Sequence, residues 1–372
     1  MNIENGNVPI IVLLREHPIL SEENDEHDCK STSSKSTDFK RKIREEEDKP
    51  CVKRYKLNKE LSPPFKLESL SDLIYIAWNY RGNAFNSLTL WKLIPSLTEL
   101  NNMVGLVDFK QNIVDLILQH IQGLHISEKG EGNMLHTVLY GVPGTGKSTV
   151  AHILAKIYCN MGLLPTDNVI CAKRSDFVKK YIGHSEDATS KLLESCLGGV
   201  LFIDEAYSMG NKEDADNFSK ASVDLLNQWL TEHKDEFICI IAGYEEELDK
   251  CFFSINKGLK SRFPYTFHLG SYTSSDLKSM FLLKLKKNGW NIEEDNTITS
   301  EFFEKHKNSF TAYGRDIDNF ITYCKTAHGR RIFGTNMKRK VLNKEDISIS
   351  IEKFNSKRIN KKEVAYPVEM YL

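Results

Sequence analysis

The sequence predicts an α/β protein, a parallel sheet covered by helices and followed by a small all-α domain, on three observations. Between residues 97 and 270, short and continuously apolar runs alternate with helix-length stretches. Strands without polar alternation belong to parallel sheets buried on both faces. One of these runs ends in a glycine-rich turn that opens directly into a helix. Beyond residue 273 the strand-like runs stop and helical periodicity continues alone.

The 372 residues include 50 basic and 51 acidic side chains, for a net charge of −1. That balance argues against a protein whose main task is to coat nucleic acid, which needs a positive excess. At 40% hydrophobic and 27% charged the composition is ordinary for a globular protein, and the length suits two or three domains. The eight cysteines include no Cys-x-x-Cys pair, and Cys239 and Cys251 stand in apolar runs. This excludes a zinc ribbon and favours reduced core thiols over a disulfide framework. No run reaches the ~18 apolar residues of a membrane span. The apolar run 9–14 follows an acidic start and has no small-residue cleavage site after it, so no secretory signal is expected. The expected location is the cytoplasm. If the isoleucine-, lysine- and asparagine-rich usage reflects a large DNA virus, that becomes the host cytoplasm or the virion.

Taken in order, residues 1–64 are expected to be mostly disordered. Mixed charge blocks such as Lys40-Arg41-Lys42 and Glu45-Glu46-Glu47-Asp48 follow a Ser/Thr run at 31–37, with too few apolar residues to offset the entropy of ordering. Residues 65–96 regain apolar content, and Leu70, Leu73, Ile74 and Ala77 keep helical spacing, which reads as a small helical lead-in. The α/β domain is placed at 97–270. Its strands are 136–140, 169–172, 200–203, 237–242 and 265–269, with helices at 147–160 and around 223–230. A helical domain follows at 271–335. It opens on the capping pair Thr273 and Asp276 and continues with Leu277, Met280, Phe281 and Leu285 on one face. Further helices fit 300–307 and 316–326. Residues 336–372 read as a basic tail.

The chemistry sits at the carboxyl ends of the strands, where such sheets bind ligands. Gly141, Val142, Pro143, Gly144, Thr145, Gly146, Lys147, Ser148 and Thr149 match the phosphate-binding pattern G-x-x-x-x-G-K-[ST]. The glycines let backbone N–H groups turn inward around phosphate oxygens, and the helix that starts at Lys147 aims its positive end at the same place. Lys147 is expected at the β/γ-phosphates and Ser148 at a Mg²⁺ ion. The strand 200–203 delivers Asp204 to the Mg²⁺ shell and Glu205 to a water as general base. A phosphate loop joined to a base predicts hydrolysis as well as binding.

These motifs, with Tyr181-Ile182-Gly183-His184, Gly199 to Tyr207, Ile241 to Tyr244 and Gly258 to Phe263, resemble the AAA+ ATPases of the CbbX/CfxQ branch. That family includes red-type Rubisco activases, a sporulation protein and type VII secretion ATPases. The resemblance covers residues 97–326. It implies an AAA+ nucleotide domain, a helical lid, ATP and Mg²⁺ as ligands, and a homo-oligomeric, hexameric ring that remodels a protein substrate in the manner of a chaperone. It further implies that Arg262 is an arginine finger acting on the neighbouring subunit's γ-phosphate. Arg315 is implied to touch the phosphates of its own subunit. Tyr181, Ile182 and Gly183 are implied to form a substrate-gripping pore loop, and Val104-Gly105-Leu106 to line the adenine pocket. One departure concerns the strand 237–242. The wider AAA+ pattern ends it in a water-orienting asparagine, and here Gly243-Tyr244 stands there, as in the CfxQ-like branch.

Two stretches, 211–214 and 343–346, match the N-K-x-D guanine pattern, but neither ends a strand beside the phosphate loop, so GTP specificity is not expected. Two alternatives stay open. A nucleic-acid motor or loader draws only on the basic tail, and nucleic acid is not an expected partner. A non-hydrolysing, ATP-dependent scaffold is opposed by Glu205 and Arg262.

Overall fold

The computed structural model describes residues 63, 65–82, 85–124, 134–177, 184–210, 217–270, 272–294, 297–335 and 338–363. The chain divides into two units, Met1–Lys59 and Glu60–Leu372, and every described residue lies in the second. The region expected to be disordered, 1–64, lies outside the described residues except for Pro63. Tyr181, Ile182, Gly183 and the stretch 211–214 lie outside them as well.

Helix α1 (Leu70–Asn79) begins with a capping box. The Asp72 N–H donates to the Ser69 hydroxyl at 3.3 Å and the Ser69 N–H to the Asp72 carboxylate at 2.9 Å, which satisfies two N-terminal donors reciprocally. Helices α2 (Ser87–Asn101) and α3 (Val107–Ile121) follow. Helix α2 runs straight through the boundary expected at 96/97, because Leu97 and Leu100 continue the buried face that Leu90 and Leu93 begin. That helix packs on α4 (Lys147–Asn160), where Glu99 pairs with Lys156 at 2.6 Å.

Five strands form one parallel sheet: β1 (Thr137–Tyr140), β2 (Val169–Ala172), β3 (Val200–Ile203), β4 (Ile238–Gly243) and β5 (Tyr265–His268). Their order is β2-β3-β4-β1-β5. The register sets Tyr140 beside Gly243 and His268, and Ile203 beside Ile241. Every residue of β1, β3 and β4 is buried, as unbroken apolar runs require. Helices α5 (His184–Ser195) and α6 (Asn217–Glu232) share a core with Val138, Leu201, Ile203 and Ile241 of the sheet. Strands thus alternate with helices, and the connections place the carboxyl ends of β1, β3 and β4 together.

His136 ties the sheet to α6 from the position just before β1. It is fully buried. Its Nδ1 accepts the Cys239 N–H at 3.1 Å, and its Nε2–H donates to the Leu230 carbonyl at 3.0 Å. Both ring nitrogens are used only when the imidazole is neutral. Burial pulls its pKa down to about 4.

Beyond β5 come α7 (Ser274–Lys287), α8 (Ser300–Lys305), α9 (Tyr313–Ile332) and α10 (Lys344–Glu363). Thr273 and Asp276 form the capping box their spacing predicts. Phe281, Phe303, Phe310, Phe320 and Phe354 stack into one buried cluster. Two features differ from the sequence reading. A two-residue parallel pair, β6 (Asn291–Ile292) with β7 (Val341–Leu342), stands among the helices, too short to show as a strand pattern. The basic segment is a packed helix rather than a tail from 336. Ile347, Ile351 and Phe354 recur at helical spacing, are buried and face α9. Asp346 locks that joint. It accepts Arg331 Nε and Nη2, both at 2.9 Å, bonds His328 Nδ1 at 3.1 Å and receives the Asn343 N–H at 3.1 Å. Burial alone raises a carboxyl pKa, but these donors outweigh it and hold Asp346 below the usual range.

His136 yields a pH prediction. A histidine whose pKa is lower folded than unfolded makes the unfolded chain bind more protons between the two values, so its contribution is present above pH 6.5 and is lost on falling to about pH 4. The loss is about 3 kcal/mol across that window. Denaturant unfolding of wild type and His136→Leu from pH 4.5 to 7.5 checks it. The variant is expected to be less stable at pH 7.5 and to show a shallower acid decline. Parallel declines would contradict the assignment.

Candidate functional site

The turn between β1 and α4 is shaped by two left-handed glycines, Gly144 at φ +80° and Gly146 at φ +94°, conformations that other residues reach only with strain. Gly146 is the N-cap of α4 and supplies no side-chain cap, so the first N–H groups of a 14-residue helix stay open toward the turn. Thr145 is buried, and its hydroxyl donates to the Val142 carbonyl at 2.9 Å. Lys147 folds back over the turn and donates to the carbonyls of Gly141 at 2.8 Å and Val142 at 3.1 Å. Burial lowers its pKa, and Asp204 and Glu205 oppose that shift.

The carboxyl end of β3 brings Asp204 and Glu205 to the same cleft, and the end of β4 brings Gly243 and Tyr244. Glu205 takes a left-handed backbone at φ +52°, with its N–H bonded to Asp204 Oδ1 at 3.0 Å. Pro143, Gly144, Gly146, Lys147, Ser148 and Thr149 form the opposite wall. Gly141, Val142 and Thr145 build the turn from behind. Among the described residues no cluster of three or more His, Cys, Asp or Glu side chains could hold a metal by itself.

Arg315, in the first turn of α9, reaches the cleft from the helical part. The backbone that carries it lies directly on the phosphate turn. The Gly314 N–H donates to the Gly144 carbonyl at 3.1 Å, and a Cβ at Gly144 would run into the Ala312 carbonyl oxygen. Lys284 braces this contact by donating to Gly314 O at 2.9 Å and to Asp318 at 2.6 Å. Tyr272 makes a second link. Its hydroxyl donates to Thr145 O at 2.8 Å, and its ring meets Tyr313 edge-on at 5.3 Å. Gly105 presses on the same Tyr272 ring, and Met103 lies against Gly146, so the segment expected at the adenine abuts the phosphate turn.

Arg262 is not in the cleft of its own chain. It lies in the one-turn helix Lys260–Arg262, ahead of β5, at the end of that strand remote from the phosphate turn. The four residues of β5 alone span ~13 Å. Its Nε is shut from solvent and has no hydrogen-bond partner among the described residues. The sequence reading gave no role to Tyr207 or Tyr272. Tyr207, three residues past Asp204, is placed in the wall by a single helical turn, and only its nearness to that acidic pair could have signalled it.

Residues 137–270 match the family model described as the ATPase family associated with various cellular activities (AAA). A putative cfxQ-like protein of Acanthamoeba polyphaga mimivirus is 38% identical over 290 residues, 77% of this chain and 70% of its own. A CfxQ homolog of Pyropia yezoensis is 32% identical over 262 residues, covering 69% of this chain and 86% of the homolog. The stage V sporulation protein K of Bacillus subtilis is 38% identical over 186 residues, covering 48% and 56% respectively. With the phosphate turn, the acidic strand end and relatives matched over most of their length, the chain belongs to the CfxQ/CbbX family of AAA+ ATPases, enzymes that bind and hydrolyse ATP.

Proposed function

We propose that this chain is a ring-forming, chaperone-like motor, six copies to a ring, that uses ATP hydrolysis to remodel a protein substrate. The observation that carries the reading is Arg262. It is a guanidinium with a buried, unpartnered Nε, out of reach of the cleft in its own chain. A buried N–H left without an acceptor is costly unless something else supplies one, and a phosphate bound by a second copy is such an acceptor.

In this reading the open N–H groups of the turn and of α4 hold the ATP phosphates, and Lys147 exchanges its two carbonyl partners for phosphate oxygens. Ser148 and Asp204 suit Mg²⁺, which prefers few protein ligands and takes its remaining ligands from phosphate and water, in keeping with the small donor set. Bound there, the ion neutralises charge on the phosphates. Glu205 takes a proton from the water that attacks the γ-phosphoryl group. Arg262 of a second copy stabilises the charge that develops as the bond to ADP breaks. Arg315 contacts the phosphates of its own chain, so their loss is felt in α9 through the Gly144 contact. Tyr181, Ile182 and Gly183 grip the protein substrate, a role supported by sequence alone.

The nucleic-acid alternative draws on the basic segment from 336 onward. Lys338, Arg339 and Lys340 are exposed there, but the helix that follows them is packed on α9 through Ile347, Ile351 and Phe354.

The test is Mg-ATP turnover against protein concentration. Wild-type specific activity is expected to rise with concentration, and Arg262→Ala to lose about 10³-fold in kcat while still binding ATP. Turnover independent of concentration together with a silent Arg262→Ala would sink the ring reading. The lid contact gives a second expectation. Gly144→Ala adds left-handed strain and a clash with Ala312, so ATP affinity measured by a fluorescent analogue should fall at least about tenfold. Wild-type affinity would show that the contact is dispensable.

A further inference from the structure

Glu205, the base in the reading above, has little on its own backbone to fix its carboxylate. The side chain is exposed, the residue is left-handed, and its N–H is taken by Asp204. The end of β4, where an asparagine would orient the water, offers Gly243 and Tyr244 instead. Tyr207, two residues on, lines the same cleft, and its hydroxyl feels the Glu205 charge.

Tyr207 is held firmly. It lies in the one-turn helix Ala206–Gly210, whose Ala206 and Met209 are buried. The Ser208 N–H donates to Glu205 O at 2.8 Å, and Arg174 Nη1 donates to Ser208 O at 2.9 Å. The Tyr207 ring packs on Gly243 so closely that a Cβ there would stand 3.0 Å from its Cδ1, and it meets the Tyr244 ring at 6.1 Å. Gly243 therefore makes room for this ring where a larger residue would displace it. Burial, followed by the Glu205 charge, pushes the Tyr207 hydroxyl up to about 12, so it keeps its proton and is a donor at neutral pH.

We propose that Tyr207 is a positioning residue for the hydrolytic base. Its O–H holds one Glu205 oxygen and leaves the other turned to the attacking water. The inference rests on the assignment of Glu205 as that base.

Tyr207→Phe keeps the ring and removes the donor. Steady-state and single-turnover Mg-ATP hydrolysis by the full chain are compared for wild type, Tyr207→Phe, Glu205→Gln and the double variant. Tyr207→Phe is expected to lower kcat about tenfold with KM within about twofold. It is also expected to leave the residual turnover of Glu205→Gln unchanged, because a group that acts only through Glu205 has nothing left to position. Wild-type kcat in Tyr207→Phe, with Glu205→Gln inactive, would overturn the positioning role and spare the base. An equal further loss in the double variant would overturn it too, since the hydroxyl would then act independently of Glu205. Wild-type turnover in Glu205→Gln would remove the base assignment and this inference with it.

Discussion

The contact on which the rest depends is the bare backbone of Gly144 against the start of α9. A side chain at this position would meet the Ala312 carbonyl, and the Gly144 carbonyl instead receives the Gly314 N–H. The phosphate turn and the helical part thus share a hydrogen bond, without a linker or a side chain between them. Packed interfaces of this kind shift between discrete arrangements instead of deforming smoothly. Lys284 and Tyr272 keep the two sides in register, and Arg315 reaches the same cleft from α9.

Backbone strain gathers around the same place. Of the four described non-glycine residues with left-handed backbone, three lie here, and the fourth, Lys340, precedes β7. Glu205 is in the cleft wall, Tyr313 packs on Tyr272, and Leu106 follows Gly105, which presses on that ring. Such conformations persist only where their surroundings over-determine them. The buried sheet supplies that rigidity. β1, β3 and β4 are neighbours, and His136 fastens the start of β1 to β4 and α6.

The motifs were legible because their chemistry needs particular residues at particular spacings. A phosphate turn needs Gly144 and Gly146 where the backbone is left-handed, and a buried strand must release its acids, Asp204 and Glu205, at its end. The strands 169–172 and 200–203 and the helix 147–160 fall where apolar periodicity put them. What the sequence hid was tertiary. The apolar stretch 65–96 reads as a lead-in separate from the α/β domain, yet the buried face of α2 carries on through Leu97 and Leu100. In α10, charge masked a three-residue apolar stripe that becomes visible only against α9. Tyr207 gained meaning only once Gly243 was seen to leave space for its ring.

In the proposed motor, one copy's cleft is completed by another copy's Arg262. This is tested most directly by mixing two inactive variants, Arg262→Ala, which keeps an intact cleft, and Glu205→Gln, which keeps an intact finger. If the sites are shared between copies, the mixture recovers ATP turnover that neither variant shows alone, because some interfaces join a sound cleft to a sound arginine. If each chain works by itself, the mixture stays as inactive as its parts, and the shared site is ruled out.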